Sequence, residues 1–264
     1  MRSAGAAPPA GAPGDEFRGK VALVVGASRG IGASTARLFA ARGARVVLAA
    51  RDLAALNVRA AEIRAAGGEA HAVRVDLAEP ESVRALGGTI AREMGRLDCA
   101  FNNAGEGAPP TPFAELAPEL FERVQRVTVL GTFLAMQQEI ALMRRTGGGA
   151  IVNMSSTAGI SGYPGGGPYI TAKHAILGLT KSAALDHARD SIRVNAVAPG
   201  PIDTERLRAL PEEYRERTRQ AVPMRRIGRP EDVGATVLWL CGEGAAFVTG
   251  ATVPVDGGRL AGVA

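Results

Sequence analysis

Short apolar runs recur along the chain, and between them lie longer stretches in which apolar positions return every three or four residues. The short runs predict strands at Val21–Val25, Arg45–Ala49, Ala70–Val75, Leu97–Phe101, Ala150–Met154, Ile192–Val197 and Thr252–Val255. The longer stretches predict helices at Ile31–Ala41, Leu53–Ala66, Pro80–Met94, Pro118–Arg145, Tyr169–His187, Glu205–Gln220 and Pro230–Cys241. A run such as VALVV has no polar alternation, as expected of a strand covered by helices on both faces. Strand and helix alternate to the end of the chain, which predicts an α/β fold with a doubly wound parallel sheet of about seven strands.

Length fits one domain of this class. The chain has 264 residues, no internal repeat and no Pro/Ser linker in its interior. Residues 1–16 are rich in Ala, Gly and Pro and read as a disordered tail or leader remnant ahead of a domain from residue 17 to 264. The apolar runs fall far short of a membrane span, so a soluble protein in the cytoplasm is expected. Cys99 and Cys241 lie in apolar segments without a CxxC or His neighbour, which favours buried free thiols over a disulfide, and no metal site is expected. The net charge of +5 comes with 28 Arg interleaved with Asp and Glu, not gathered into a basic patch, so nucleic acid is not an expected partner. Only Lys20, Lys173 and Lys181 are lysine, which makes the place of each more informative.

The first strand leads directly into Gly26-Ala-Ser28-Arg29-Gly30-Ile31-Gly32 and then a helix. Glycines there allow a sharp turn and a close approach of a pyrophosphate to backbone N–H groups, with the positive end of the helix dipole behind them. The spacing is GxxxGxG. About 20 residues on, where an acidic side chain would hold the ribose 2′-hydroxyl of NAD, the sequence reads Leu48-Ala49-Ala50-Arg51-Asp52. Arg51, with Arg29 in the turn, offers cations for a 2′-phosphate, so NADP is expected over NAD. A strand ending one residue away would instead put the Asp52 carboxylate near the ribose.

Tyr169 and Lys173 are four apart in a predicted helix and share a face. Ser156 follows the strand Ala150–Met154, at the edge where clefts of parallel sheets open. A phenol is a weak base at neutral pH, but a nearby ammonium stabilises its anion, and a serine hydroxyl can donate to a carbonyl oxygen that gains charge as hydride arrives. These three residues are the candidate catalytic set for hydride transfer between a nicotinamide and a carbonyl or alcohol carbon.

With these motifs in order, the sequence resembles the short-chain dehydrogenase/reductase family, from about Phe17 to Leu260. The resemblance is carried by Gly26, Gly30 and Gly32, by Asp76-Leu77, by Asn102-Asn103-Ala104-Gly105, and by Ser156 thirteen residues before Tyr169. Asn195, Pro199-Gly200 with Thr204, and Asp256-Gly257-Gly258 extend it. It implies a Rossmann-type fold, Asp76 and Leu77 at the adenine, Asn102, Asn103, Ala104 and Gly105 along the nicotinamide-side ribose, and Pro199, Gly200, Ile202 and Thr204 at the carboxamide end. It also implies a homotetramer and a small carbonyl or alcohol substrate covered by a lid at about 201–226, with Tyr163 and Glu106 flanking the pocket.

One position departs from the family. An Asn usually stands three residues before the Gly of the long fourth helix, supporting a water-mediated proton path to the lysine; VTVLGTF has Thr128 there. A hydroxyl can hold a water but reaches less far than an amide. An alternative reading is therefore a cofactor-binding redox sensor on the same fold with little or no turnover.

Overall fold

The computed structural model describes residues 14–262. The first 13 residues of the expected tail lie outside them, while residues 14–16 form a turn whose Asp15 and Glu16 pair with Arg18 and Arg42. Phe17 then enters the core, edge-on to Phe39.

Seven parallel strands form one sheet: β1 Val21–Val25, β2 Arg45–Ala50, β3 Glu69–Arg74, β4 Cys99–Asn102, β5 Gly149–Met154, β6 Ile192–Pro199 and β7 Thr252–Val255. Their order is β3-β2-β1-β4-β5-β6-β7, so the direction of winding reverses between β1 and β4. A parallel sheet opens its ligand crevice at that reversal, beyond the carboxyl ends of the two strands. The helices are α1 Gly30–Ala41, α2 Leu53–Ala65, α3 Pro80–Glu93, α4 Pro118–Gln125, α5 Gly131–Thr146, α6 Gly167–His187, α7 Glu205–Arg208, α8 Glu212–Gln220 and α9 Pro230–Cys241. This is the doubly wound Rossmann-type single domain that the apolar pattern predicts.

The pleat of β1 explains its uninterrupted apolar run. Ala22 and Val24 point into a core shared with Phe39 of α1, Leu56 of α2 and Val237 of α9. Val21, Leu23 and Val25 point into the opposite core, against Ile90 of α3, Met143 of α5 and Ala184 of α6. Both faces exclude water, and each large side chain so buried contributes about 1.5–3 kcal/mol.

Two long helical stretches are divided in ways that periodicity does not reveal. The predicted helix Pro118–Arg145 contains a π-helical turn at Arg126–Leu130 between α4 and α5. The predicted helix Glu205–Gln220 breaks into α7 and α8, with Pro211 at the N-cap of α8, where its fixed φ ends the preceding turn. No helix among the described residues is long and apolar enough to cross a membrane. Cys99 and Cys241 are buried and free.

Candidate active site

A cleft of about 960 Å³ runs over the carboxyl ends of β1, β2 and β4 and takes in Gly26, Ser28, Arg29, Gly30, Arg51, Asp76, Leu77, Asn103, Ala104 and Gly105. It continues into a second space of about 410 Å³ containing Ile31, Ser156, Tyr169, Lys173, Pro199, Gly200, Ile202 and Thr204. Arg29, Gly30, Asn103, Gly105 and Arg206 border both. Most of the residues singled out from sequence thus converge on one continuous groove; Gly32, Asn102, Thr128 and Tyr163 do not line it.

The glycine turn is built for close approach. Gly26 has φ +86°, and a Cβ on it would lie 2.8 Å from the Ala104 nitrogen and from Asn103 Nδ2. A Cβ on Gly32 would collide with the Gly26 carbonyl, so this glycine lets the turn fold onto the helix. The N-cap of α1 is Arg29, whose side chain caps nothing, and the first turn has no acidic residue. The first N–H groups of the helix therefore lack a side-chain acceptor, the arrangement that suits a pyrophosphate.

At the far end of the groove the second strand runs one residue beyond its predicted end, to Ala50. Arg51 follows, and the Asp52 carboxylate is engaged as the N-cap of α2, accepting from the Ala55 N–H at 3.0 Å. Arg37 and Arg59 also line this end; they pair with Glu231 and Glu62, whereas Arg29 and Arg51 have no carboxylate partner among the described residues.

Asn102 does not face the groove, which corrects the expectation that it lines the cofactor ribose. As the last residue of β4 it points into the core, where Nδ2 donates to Glu139 and Asn153, each at 3.0 Å. Asn103, one residue on, takes the groove side and donates from Nδ2 to the Gly26 carbonyl.

At the other end, the first two turns of the long helix α6 present Tyr169 and Lys173. Lys173 is buried and its Nζ donates to the Met154 carbonyl at 2.7 Å, 5.6 Å from the centre of the Tyr169 ring. Burial lowers its pKa to about 8. Burial raises that of Tyr169, while the Ser156 hydroxyl and the Arg206 guanidinium act in the opposite direction. Lys173 is not among the groups that pull the phenol down. Ser156 Oγ accepts from the Ala158 N–H at 3.1 Å, and Ser155 Oγ donates to the Lys173 carbonyl at 2.9 Å, fastening the end of β5 to α6.

Thr128 is buried in the π-helical turn, and its Oγ1 accepts from the Glu106 N–H at 3.0 Å. Thr128 Oγ1 and Lys173 Nζ both border Gly105, 3.5 and 3.4 Å from where a Cβ on it would lie. Glu106 borders the groove and pairs with Arg123, and Tyr163 is half exposed beside Gly166. Arg206, not singled out from sequence because it is one of 28 arginines, lies against Gly107 between the two halves of the groove.

A family profile described as enoyl-(acyl carrier protein) reductase matches residues 26–259. The chain is 41% identical over 244 residues, 90% of its length and 95% of the relative's, to the A-factor type gamma-butyrolactone 1'-reductase (1S-forming) of Streptomyces virginiae. It is likewise 41% identical over 248 residues, 94% of its length and 99% of the relative's, to the cis-4-hydroxycyclohexanecarboxylate dehydrogenase of Sinomonas cyclohexanicum. The crystal structure of levodione reductase superposes with a TM-score of 0.90 at 31% identity, covering 94% of this chain and 100% of that one. The chain belongs to the short-chain dehydrogenase/reductase family and is an oxidoreductase.

Proposed function

We propose that this protein is an NADP(H)-preferring carbonyl reductase or alcohol dehydrogenase acting on small cyclic ketones or secondary alcohols. The observation that carries this reading is the meeting of Ser156, Tyr169 and Lys173 in one continuation of the glycine-walled groove. The preference for NADP rests on Arg29 and Arg51, which lack carboxylate partners, and on the engagement of Asp52 as a helix cap. The substrate class follows the relatives, whose names specify a butyrolactone reductase and a hydroxycyclohexanecarboxylate dehydrogenase.

The residues present fit a dinucleotide: glycines 26, 30 and 32 with the α1 N-terminus for the pyrophosphate, Asp76 and Leu77 for the adenine, and Asn103, Ala104 and Gly105 for the nicotinamide-side ribose. Ile31 borders the same passage, and Pro199, Gly200, Ile202 and Thr204 take the carboxamide end. Bound there, the nicotinamide supplies or accepts the hydride. Ser156 donates to the substrate oxygen, and Tyr169, whose partly buried phenol stays protonated at neutral pH, delivers its proton to that oxygen as the alcohol forms. Lys173 orients the ribose and the phenol, and Thr128 contributes a hydroxyl beside it. Residues 201–226, with α7 and α8, serve as the lid.

The assembly we propose is a homotetramer in the cytoplasm. Exposed Leu130 and Phe133 at the start of α5, Leu185 on α6, and Phe247 ahead of β7 supply apolar surface for it, and two free buried thiols suit a reducing compartment.

Loss of NADPH absorbance on a panel of alicyclic ketones, with NADH and a Tyr169→Phe variant in parallel, tests this reading. Turnover that prefers NADPH and vanishes in the variant supports it. Tight NADPH binding without turnover on any carbonyl or alcohol would instead select the redox-sensor reading, which Thr128 in place of the family's Asn favours.

A further inference from the structure

Among the described residues, two of the buried side-chain oxygens without a hydrogen-bond partner belong to a single bonded pair. Asn102 Nδ2 donates to Glu139 Oε2 at 3.0 Å, yet Asn102 Oδ1 and Glu139 Oε1 both lack a donor. Both residues are almost completely buried. A buried acceptor left without a donor costs about 1–3 kcal/mol, and two on adjoining groups is an unusual concentration of that cost. A proton on Glu139 Oε1, donated to Asn102 Oδ1, would satisfy both.

We propose that Glu139 is held as the neutral acid and donates from Oε1 to Asn102 Oδ1, making it a positioning residue for the strand ends that carry the active site. The donors then run in one direction. Asn102 Nδ2 donates to Asn153 Oδ1 at 3.0 Å, Asn153 Nδ2 to Thr180 Oγ1 at 3.0 Å, and Thr180 Oγ1 to the Ile176 carbonyl at 2.8 Å. This line joins α5, β4, β5 and α6. Asn102 immediately precedes Asn103–Gly105, Asn153 lies three residues before Ser156, and α6 carries Tyr169 and Lys173. An ionised Glu139 would remove the donor at the head of the line and leave a buried charge.

Among the described residues, no opposite charge offsets it. On α6, Lys173 is bound to the Met154 carbonyl, and His174, Lys181 and Asp186 are exposed. On α3, Glu81 and Arg84 pair with one another, as do Arg92 and Glu93, all at the surface. Asp98, before β4, is held by Arg96, and β5 has no ionisable side chain. Arg144 and Arg145 sit in the last turn of α5 and are exposed. Burial accordingly pushes the Glu139 carboxyl up to about 8, against the Asn102 hydrogen bond.

A glutamine can reproduce the neutral acid, with its NH2 in place of the O–H, whereas alanine cannot. The test compares wild type, Glu139→Gln and Glu139→Ala in thermal unfolding from pH 5 to 9, together with the infrared band of protonated carboxyl groups and NADPH binding. The expected result is a protonated-carboxyl band in the wild type at pH 6 that is absent from Glu139→Gln and fades in the wild type towards pH 9. Wild-type melting temperature falls relative to Glu139→Gln from pH 5 to about 8 and levels off above it, because the unfolded chain releases the proton first. Glu139→Gln keeps NADPH affinity at pH 9, where the wild type loses it, and Glu139→Ala loses stability at every pH. A Glu139→Gln protein that fails to fold, or one whose melting curve runs parallel to the wild type, overturns the proposal. So does a spectrum at pH 6 without the Glu139 band. The link to cofactor binding rests on the proposed function, but the band and the melting curves do not, so the two can fail separately.

Discussion

Asn103 donates from its amide to the Gly26 carbonyl at 2.9 Å, so the loop after β4 is tied to the turn after β1 at the point where the sheet reverses. A Gly26→Ala substitution would press its Cβ onto the donating Asn103 amide and the Ala104 backbone and hold alanine at φ +86°. Strain on the order of 1–3 kcal/mol should follow. At ~2–4 °C per kcal/mol for a chain of this size, the melting temperature falls by several degrees, and NADPH affinity drops at least tenfold. Calorimetry and fluorescence titration check both; normal NADPH binding in the variant would contradict the cradle.

Arg51→Ala separates the two dinucleotides. A charge-assisted hydrogen bond is worth about 1.5–3 kcal/mol, so the NADPH dissociation constant should rise roughly 10- to 100-fold with NADH little affected. Parallel titrations measure the ratio. Equal weakening of both cofactors would mean that Arg51 does not read the 2′-phosphate.

Lys173→Met should abolish turnover and also change how stability depends on pH. With its pKa lowered from 10.5 to about 8, the native lysine has released a proton that the unfolded chain still holds between those values. Wild-type stability therefore gains on the order of 3 kcal/mol relative to the methionine variant as pH climbs from 8 to 10.5, and loses it on the way down. Chemical denaturation of both proteins at the two ends of that window gives the difference directly.

Tyr169, raised by burial, should make the two directions of reaction diverge with pH. Ketone reduction stays flat through neutral pH and declines at alkaline pH as the phenol ionises, while alcohol oxidation climbs over the same range. Ser156→Ala removes one of the groups that pull the phenol down, so its alkaline limb moves to higher pH. Profiles of kcat/KM in each direction provide the check.

Much of the fold and of the groove is legible in the sequence. Seven strands and the helices between them follow from apolar runs whose period the pleat and the helix impose. The glycine turn and the Tyr169–Lys173 pair are local patterns that fold where their spacing puts them. What escaped needed a third dimension. Asn102 and Asn103 are chemically identical neighbours, and only the alternation of side chains at the end of β4 sends one to Glu139 and the other to Gly26. Glu139 itself reads as an ordinary polar position of an amphipathic helix, since nothing local announces that α5 turns it towards the sheet. Arg206 is one arginine among many until α7 brings it over Gly107.

The wide turn at Arg126–Leu130 has a consequence for what kinds of sequence change this chain can absorb. A π turn holds one residue more than the α turn it replaces, and each residue of an α-helix advances the direction of its side chain by about 100°. Thr128 and Glu139, eleven positions apart, would share a stripe on an uninterrupted helix. Both are buried here, with Thr132 and Ala135 between them, and the widened turn sets the phase at which Thr128 reaches Gly105 while Glu139 reaches Asn102. Loss of any single residue from this turn would re-phase everything downstream of it. The segment should thus tolerate many replacements on its outer side and not one deletion.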